Sequence, residues 1–504
     1  MGLARAWSVA LFGVDGIAVE VEADIGAGLP AVRLVGLPDA ALQQAKERVR
    51  AAVRNSGEQW PQHRVTLGLS PAALPKGGSG YDLAIACAIL AAAQAIPPGV
   101  LDNVALIGEL ALDGRVRPVR GVLPGLLAAR RAGLTEAIVP AETLAEAALV
   151  DGMRVFGAHR LDEVVRCLRG EQGLETTPER PSGERGGRGV DLADVLGQPE
   201  ARWALEVAAA GGHHLLFVGP PGTGKTMLAQ RLCGLLPPLS AEEALEVTAI
   251  HSVAGALSTD SPLIDSPPFV APHHSLSIAA MIGGGTGVAK PGAVSRAHRG
   301  VLFLDEACEF GPRRLETLRT ALEEGEVRLA RRDGVVRYPA RFQLVLATNP
   351  CPCAPPRDTE CLCPPNTRRR YLARLSGPLL DRVDIRVRMR PLTAMSAREG
   401  TVPESTAVVR ERVHNARQRA ADRWAGYGLH SNAEVPGPVL RRDFPLPREA
   451  IELLDHGLDL GVVTGRGADR CLRVAWTLAD LAGLDLPGVD EVAAALEFRD
   501  RRSA

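Results

Sequence analysis

The most specific chemistry in the chain lies in one short run of residues. Leu215, Leu216, Phe217 and Val218 make an apolar strand, Gly219-Pro220-Pro221-Gly222-Thr223-Gly224-Lys225-Thr226 follows, and a helix-forming stretch comes next. This is the G-x-x-x-x-G-K-[ST] pattern in the strand–loop–helix setting it requires. Glycines let backbone N–H groups converge on a β-phosphate where a Cβ would block them, and the helix N-terminus adds partial positive charge. Lys225 is placed to reach the β- and γ-phosphates and Thr226 to ligate Mg²⁺, so ATP and Mg²⁺ are the expected ligands.

A second apolar strand, Val301-Leu302-Phe303-Leu304, delivers Asp305 and Glu306. Carboxylates at the end of a buried strand are costly unless used. Asp305 is expected to hold Mg²⁺ through water, and Glu306 to polarise the attacking water as general base. A third strand, residues 343–347, ends in Thr348-Asn349, where Asn349 can orient that water and sense the γ-phosphate. Downstream, Gly377-Pro378-Leu379-Leu380-Asp381-Arg382-Val383-Asp384 offers Arg382 either as an arginine finger for a neighbouring subunit or as a partner of Asp381 or Asp384.

Cys351-x-Cys353 and Cys361-x-Cys363 bring four thiols into a Pro-rich excursion. Four sulfurs suit tetrahedral Zn²⁺, and the alternative is four loop cysteines without metal. Arg368, Arg369, Arg370 and Arg374 follow, either a phosphate-binding patch or a solvated face. Cys87, Cys167, Cys233, Cys308 and Cys471 read as core fillers, and His213 and His214 as turn or surface positions.

The elements that must position these groups separate by pattern. Residues 17–22 and 64–69 alternate apolar and polar side chains as half-buried strands do, and residues 40–53 and 82–94 read as helices. Residues 170–189 are polar, rich in Gly and charge, and aperiodic, which fits a flexible linker. Buried strands alternate with helices from about 191 to 390, implying a parallel α/β sheet. Helical patterns dominate beyond 391, with a polar, Pro-containing stretch near 433–447.

Composition limits the function classes. The 504 residues are 46% hydrophobic and 23% charged, which excludes a disordered or fibrous chain. A net charge of -1 means that nucleic-acid binding must come from local patches. Nine cysteines in 504 residues do not make a disulfide scaffold. The first residues make a poor signal peptide and no run is long enough to span a membrane, so a cytoplasmic location is expected.

The order P-loop, Asp-Glu, Asn, Leu-Leu-Asp-Arg resembles AAA+ ATPases. Pro272-His273-His274-Ser275, Gly283-Gly284-Gly285, Lys290-Pro291-Gly292 and Ala297-His298-Arg299-Gly300 resemble the magnesium-chelatase-like ATPases. Asn349-Pro350-Cys351-Pro352-Cys353 and Arg374-Leu375-Ser376-Gly377-Pro378 narrow the resemblance to the YifB/ComM family, over nearly the whole chain. Ala307-Cys308 stands where the family usually has Leu-Pro, Thr348 where it has Met, and Gly465 where a small Ser-Ala lead-in precedes Arg466.

The resemblance implies an α/β chain with a Lon-protease-like (S5-like) α+β domain at 1–169. It places the linker at 170–189 and a P-loop AAA+ αβα core at 190–390, with the cysteine excursion at 351–363. A C-terminal helical lid carrying sensor 2 occupies 391–504. It also implies a ring, a hexamer in this family, with nucleotide between subunits and Arg466 as sensor 2. Residues 273–287 fit a pore-facing insertion, either a mobile hairpin tracking DNA or a packed loop. In the N-terminal segment, Pro75-Lys76-Gly77-Gly78-Ser79-Gly80 resembles the Lon nucleophile segment, but Gly80 falls at the nucleophile position and Leu123 at the lysine position. A Ser–Lys protease dyad is therefore missing. The implied activity is ATP-driven remodelling of single-stranded or branched DNA, with branch migration as in natural transformation. The alternative is a magnesium-chelatase-type motor subunit acting on a protein partner.

Overall fold

Alternating side chains build the first sheet. The strand Asp15–Gly26 turns Val19, Val21, Ala23 and Ile25 inward, and Arg64–Ser70 does the same with Val65, Leu67 and Leu69. On the opposite face Glu20 and Glu22 pair with Arg5. The computed structural model describes residues 2–35, 40–72, 78–97, 99–176, 190–258, 261–285, 289–331, 334–356, 360–391 and 403–499. Within them this sheet has eight strands, in the spatial order Glu175–Thr176, Arg154–Ala158, Glu136–Pro140, Val104–Leu106, Gly2–Phe12, Asp15–Gly26, Arg64–Ser70 and Ala31–Val35. Residues expected to open the linker thus add an edge strand, Glu175–Thr176, antiparallel to Arg154–Ala158. Residues 177–189 lie outside the described set.

The helix Asp82–Ala92 is apolar on almost every side because almost every residue in it is buried. It ends two residues short of the expected 94, and Gln94 turns to a left-handed φ of 62°. Its one charge, Asp82, is satisfied by a two-pronged contact from Arg48, at 2.8 and 3.0 Å.

The second sheet is all parallel, in the order Phe269–Val270, Val301–Leu304, Gln343–Thr348, Leu215–Val218, Ile385–Arg388. Its central strands are buried on both faces, which explains their unbroken apolar runs. The register Val218↔Thr348 sets Gly219 beside Asn349 at the carboxyl edge, where open α/β sheets bind ligands.

An antiparallel hairpin, Glu326–Arg331 with Gly334–Pro339, is an addition to the alternating pattern. Val327, Leu329, Val336 and Tyr338 share its buried face, and Leu11, Phe12 and Val14 from the first domain pack against the same cluster. Ser252 also donates a hydrogen bond to Glu146, so the two sheets are joined by apolar and polar contacts.

The C-terminal part is helical, with helices at Thr406–Trp424, Gly437–Asp443, Arg448–Asp459, Gly465–Ala482 and Val489–Glu497. The second of these falls inside the Pro-containing stretch, where proline is tolerated in a first helical turn. Trp424, Phe444 and Trp476 meet with ring centroids 4.7 to 6.0 Å apart.

The surface position expected for His213 is wrong. His213 is fully buried, and its Nε2 lies 2.8 Å from Thr477 Oγ1 on the helix Gly465–Ala482. A Cβ on Gly211 would fall 2.1 Å from that ring, so glycine is needed for this docking. Burial pushes the His213 pKa down to about 4, against the pull of Asp384. Its folded pKa lies below the unfolded value of about 6.5, so its stabilising contribution is complete above that value and is lost as pH falls from there towards 4. Going from pH 7 to pH 5 should cost about 2 kcal/mol from this residue. Denaturant unfolding at the two pH values should show the loss, reduced in His213→Gln.

Candidate nucleotide site

The loop after Leu215–Val218 is shaped by glycine. Gly222 and Gly224 hold φ of 77° and 91°, and a Cβ on Gly219 would meet the Met389 carbonyl oxygen at 2.7 Å. The helix Lys225–Leu235 starts at Lys225, so its first N–H groups face the loop. Lys225 is buried with its ammonium on three oxygens: Gly219 O at 2.7 Å, Pro220 O at 2.8 Å and Asn349 Oδ1 at 3.2 Å. Burial lowers its pKa and the fields of Asp305 and Glu306 raise it. Thr223 is buried and its hydroxyl closes the loop on Pro220 O at 2.9 Å, leaving Pro221 and Gly222 exposed at the tip.

Thr226 Oγ1 donates to Asp305 Oδ2 at 2.7 Å, while Asp305 Oδ1 accepts the Glu306 N–H at 2.9 Å. A hydroxyl and a carboxylate beside a buried ammonium form a donor set for a phosphate with a hard cation. Glu306 takes a left-handed φ of 50°, unusual for a side chain with a Cβ, and its Oε2 lies 3.2 Å from His274 Nδ1. The structure therefore gathers Lys225, Thr226, Asp305, Glu306 and Asn349 at one edge of one sheet. Two of the three departures from the family pattern touch each other beneath it, Thr348 Oγ1 donating to Cys308 Sγ at 3.1 Å.

The arginines lie apart from that edge. Arg382 is buried, paired with Glu323 and donating to Pro378 O at 2.5 Å. Its partner is neither Asp381 nor Asp384, because Asp384 is held by Arg470. Burial, then the positive fields of Arg319, Arg470 and Arg466, lowers the Arg382 pKa. Arg466 is exposed in the first turn of its helix, within the field of Arg382 and without an ion-pair partner among the described residues.

The four cysteines of the excursion come together. Their Sγ atoms all lie within 4.8 Å of one another, with Cys351–Cys353 at 3.3 Å, Cys353–Cys361 at 3.6 Å and Cys361–Cys351 at 3.4 Å. A zinc–sulfur bond of about 2.3 Å in a tetrahedron sets sulfurs ~3.8 Å apart, so these thiols fit such an ion with small adjustments. A backbone hydrogen bond from Cys363 draws the Cys361 thiol down to about 7, towards the thiolate that a metal needs. The helix Pro365–Leu372 follows, exposing Arg368, Arg369 and Arg370, while Arg374 pairs with Glu309.

His274 and Glu323 are the contacts that sequence reasoning missed. The Pro-His-His-Ser run was on view as a family feature, but nothing in its spacing points to Glu306. No helix among the described residues is long and apolar enough to cross a membrane.

Three family models match the chain: "Magnesium chelatase, subunit ChlI" at residues 191–397, "Subunit ChlI of Mg-chelatase" at 21–143, and "Magnesium chelatase, subunit ChlI C-terminal" at 403–499. An uncharacterized protein of Mycobacterium tuberculosis is 61% identical over 99% of both chains. The protein YifB of Escherichia coli is 41% identical over 99% of this chain and 97% of its own. The competence protein ComM of Haemophilus influenzae is 40% identical over 99% of this chain and 98% of its own.

Proposed function

The chain belongs to the YifB/ComM family of magnesium-chelatase-like proteins, and from that premise we propose that it is a ring-forming AAA+ ATPase that remodels DNA. The observation that carries the ATPase reading is the meeting of Lys225, Thr226, Asp305, Glu306 and Asn349 at the carboxyl edge of one parallel sheet.

MgATP supplies a γ-phosphoryl group whose charge the cation partly neutralises. The loop 219–226 binds the phosphates through N–H groups freed by Gly222 and Gly224, and Lys225 exchanges the oxygens of Gly219 and Pro220 for phosphate oxygens. Thr226 and Asp305 hold the cation. Glu306 accepts the proton of the attacking water, and Asn349 orients that water. Arg382 serves the site of the adjacent subunit once it leaves Glu323, and Arg466, beside Arg382, acts from the same side. The ring, a hexamer by family pattern, follows from this shared site.

DNA as substrate is supported by likeness to a competence protein and by the exposed Arg368, Arg369 and Arg370 beside the cysteine cluster. Single-stranded or branched DNA and branch migration are the preferred substrate and reaction. The first domain is read as a Lon-protease-like scaffold without proteolysis, since Leu123 is wholly buried at a helix start and Ser79 donates to Glu109. The segment expected to resemble the Lon nucleophile loop falls partly at 75–77, outside the described residues. Metal analysis of the purified chain should find one zinc, lost in Cys361→Ser. A metal-free parent would leave four thiols that hold no ion.

The test is ATP-dependent unwinding of a forked DNA with a labelled strand. Strand release that needs hydrolysis supports the reading, and none on any fork or four-way junction rejects it. The second reading, a magnesium-chelatase-type motor acting on a protein partner, is favoured by the descriptions of the three matching family models.

A further inference from the structure

We propose that Asp384 is a positioning residue for ATP hydrolysis in the neighbouring subunit: by binding Arg470 it locks the helix Gly465–Ala482 to the turn that carries Arg382, and so sets Arg382 and Arg466 as one unit. The turn is tight, with the N–H groups of Arg382 and Val383 bonded to Leu379 O and Leu380 O at 2.9 and 3.2 Å. Asp384 follows at once and is buried. One carboxylate oxygen accepts the His214 N–H at 2.9 Å, and the other accepts from Arg470 Nη1 at 2.5 Å. The Asp384 N–H donates to His214 O at 3.1 Å, so the base of the turn is pinned to the residue that precedes the strand Leu215–Val218.

Four arginines crowd this face. The fields of Arg319, Arg470 and Arg466 all fall on Arg382. Such like charges repel, more strongly where burial removes the water between them. Glu323 answers Arg382, and Asp384 answers Arg470. Burial works against the Asp384 charge, yet the Arg470 guanidinium holds the carboxyl well below the usual carboxylate range, so it is ionised at neutral pH. Arg470 lies about one turn beyond Arg466 on the same helix, so what fixes Arg470 also fixes Arg466. Two further bonds keep this register: Arg499 Nη1 donates to Val383 O at 2.7 Å, and the Arg386 N–H to Phe498 O at 2.9 Å. The C-terminal helices thus grip residues 383–386 at three points, and Asp384–Arg470 is the ion pair among them. Because Leu215 aligns with Ile385, Asp384 sits at the amino edge of the sheet, opposite the nucleotide loop of its own chain. Its effect on hydrolysis therefore runs through Arg382 and Arg466.

The role rests on Arg382 serving a neighbouring subunit. It is tested by steady-state ATP hydrolysis of the full chain, alone and in mixed rings. Asp384→Asn should lower kcat about 10–10²-fold with KM for ATP unchanged, the loss expected when a catalytic group is displaced by about 1 Å. Arg470→Lys, which keeps a cation for the carboxylate, should retain more of the rate than Arg470→Gln. Mixed with Lys225→Ala, Asp384→Asn should regain hydrolysis above the sum of the two preparations, because some interfaces then pair an intact Lys225 with a well-placed Arg382. Mixed with Arg382→Ala it should regain nothing, since both defects fall on the same side of the interface. Arg470→Gln goes through the same mixtures should Asp384→Asn fail to fold. A kcat within a factor of two of the parent overturns the proposal. So does recovery with Arg382→Ala, which would place the defect in the variant's own site. Recovery of Arg382→Ala but not of Asp384→Asn with Lys225→Ala would overturn the role of Asp384 and leave Arg382 as the finger. Recovery of neither, with mixed assembly demonstrated, would remove Arg382 as the finger and this role with it.

Discussion

Glu306→Gln should lower ATP turnover by about 10²–10⁴-fold, the range expected on losing a positioned general base. The amide is close to isosteric and keeps a hydrogen-bonding group at the same point, so the fold and ATP binding should persist. Glu306 is the group at this edge whose carboxylate is free of the cation-holding contacts, because Asp305 spends its oxygens on Thr226 and on the Glu306 amide. The variant should therefore bind ATP with parental affinity and hold it unhydrolysed, with any assembly that ATP promotes becoming long-lived. Rapid filtration of labelled nucleotide and light scattering would read these two properties. Turnover within a factor of two of the parent would remove Glu306 as the base.

Arg382→Ala should cost about 10³–10⁵ in turnover if the guanidinium completes a neighbour's site. Loss of activity alone is ambiguous, because the Arg382 side chain is buried, pairs with Glu323 and donates to Pro378 O, so its removal also takes away packing and contacts within its own subunit. Mixing resolves this. Lys225→Ala lacks the phosphate lysine but keeps the finger, and Arg382→Ala has the reverse defect. In mixed rings some interfaces combine an intact Lys225 with an intact Arg382 from next door. Two inactive preparations should then regain measurable hydrolysis together. No recovery, with mixed assembly demonstrated, would assign Arg382 to the stability of its own subunit.

The parts of the site legible in the sequence are those whose chemistry and geometry are local. Gly219 to Thr226, Asp305–Glu306 and Asn349 each follow an apolar strand directly, and adjacent strands in one parallel sheet must deliver them to the same edge. The cysteines were legible for a similar reason, since two C-x-C pairs in one short excursion have few ways to stay apart. Contacts between distant segments were not legible. His274 reaches Glu306 from another strand–helix connection, and Glu323 reaches Arg382 from a helix beyond the Asp-Glu strand. His213 was misplaced because a histidine after Gly211-Gly212 reads as a polar turn, whereas the docking of a C-terminal helix buries it against Thr477. The hairpin 326–339 did leave a signal, alternation around Asp333-Gly334, that the strand–helix pattern on either side obscured.

The most direct test of the account is ATP hydrolysis by the purified chain with and without single-stranded, duplex and branched DNA. The account predicts several-fold stimulation by single-stranded or branched DNA, abolished by Lys225→Ala. A rate indifferent to every DNA, with Lys225-dependent hydrolysis intact, would contradict it and point to a protein partner as the motor's substrate.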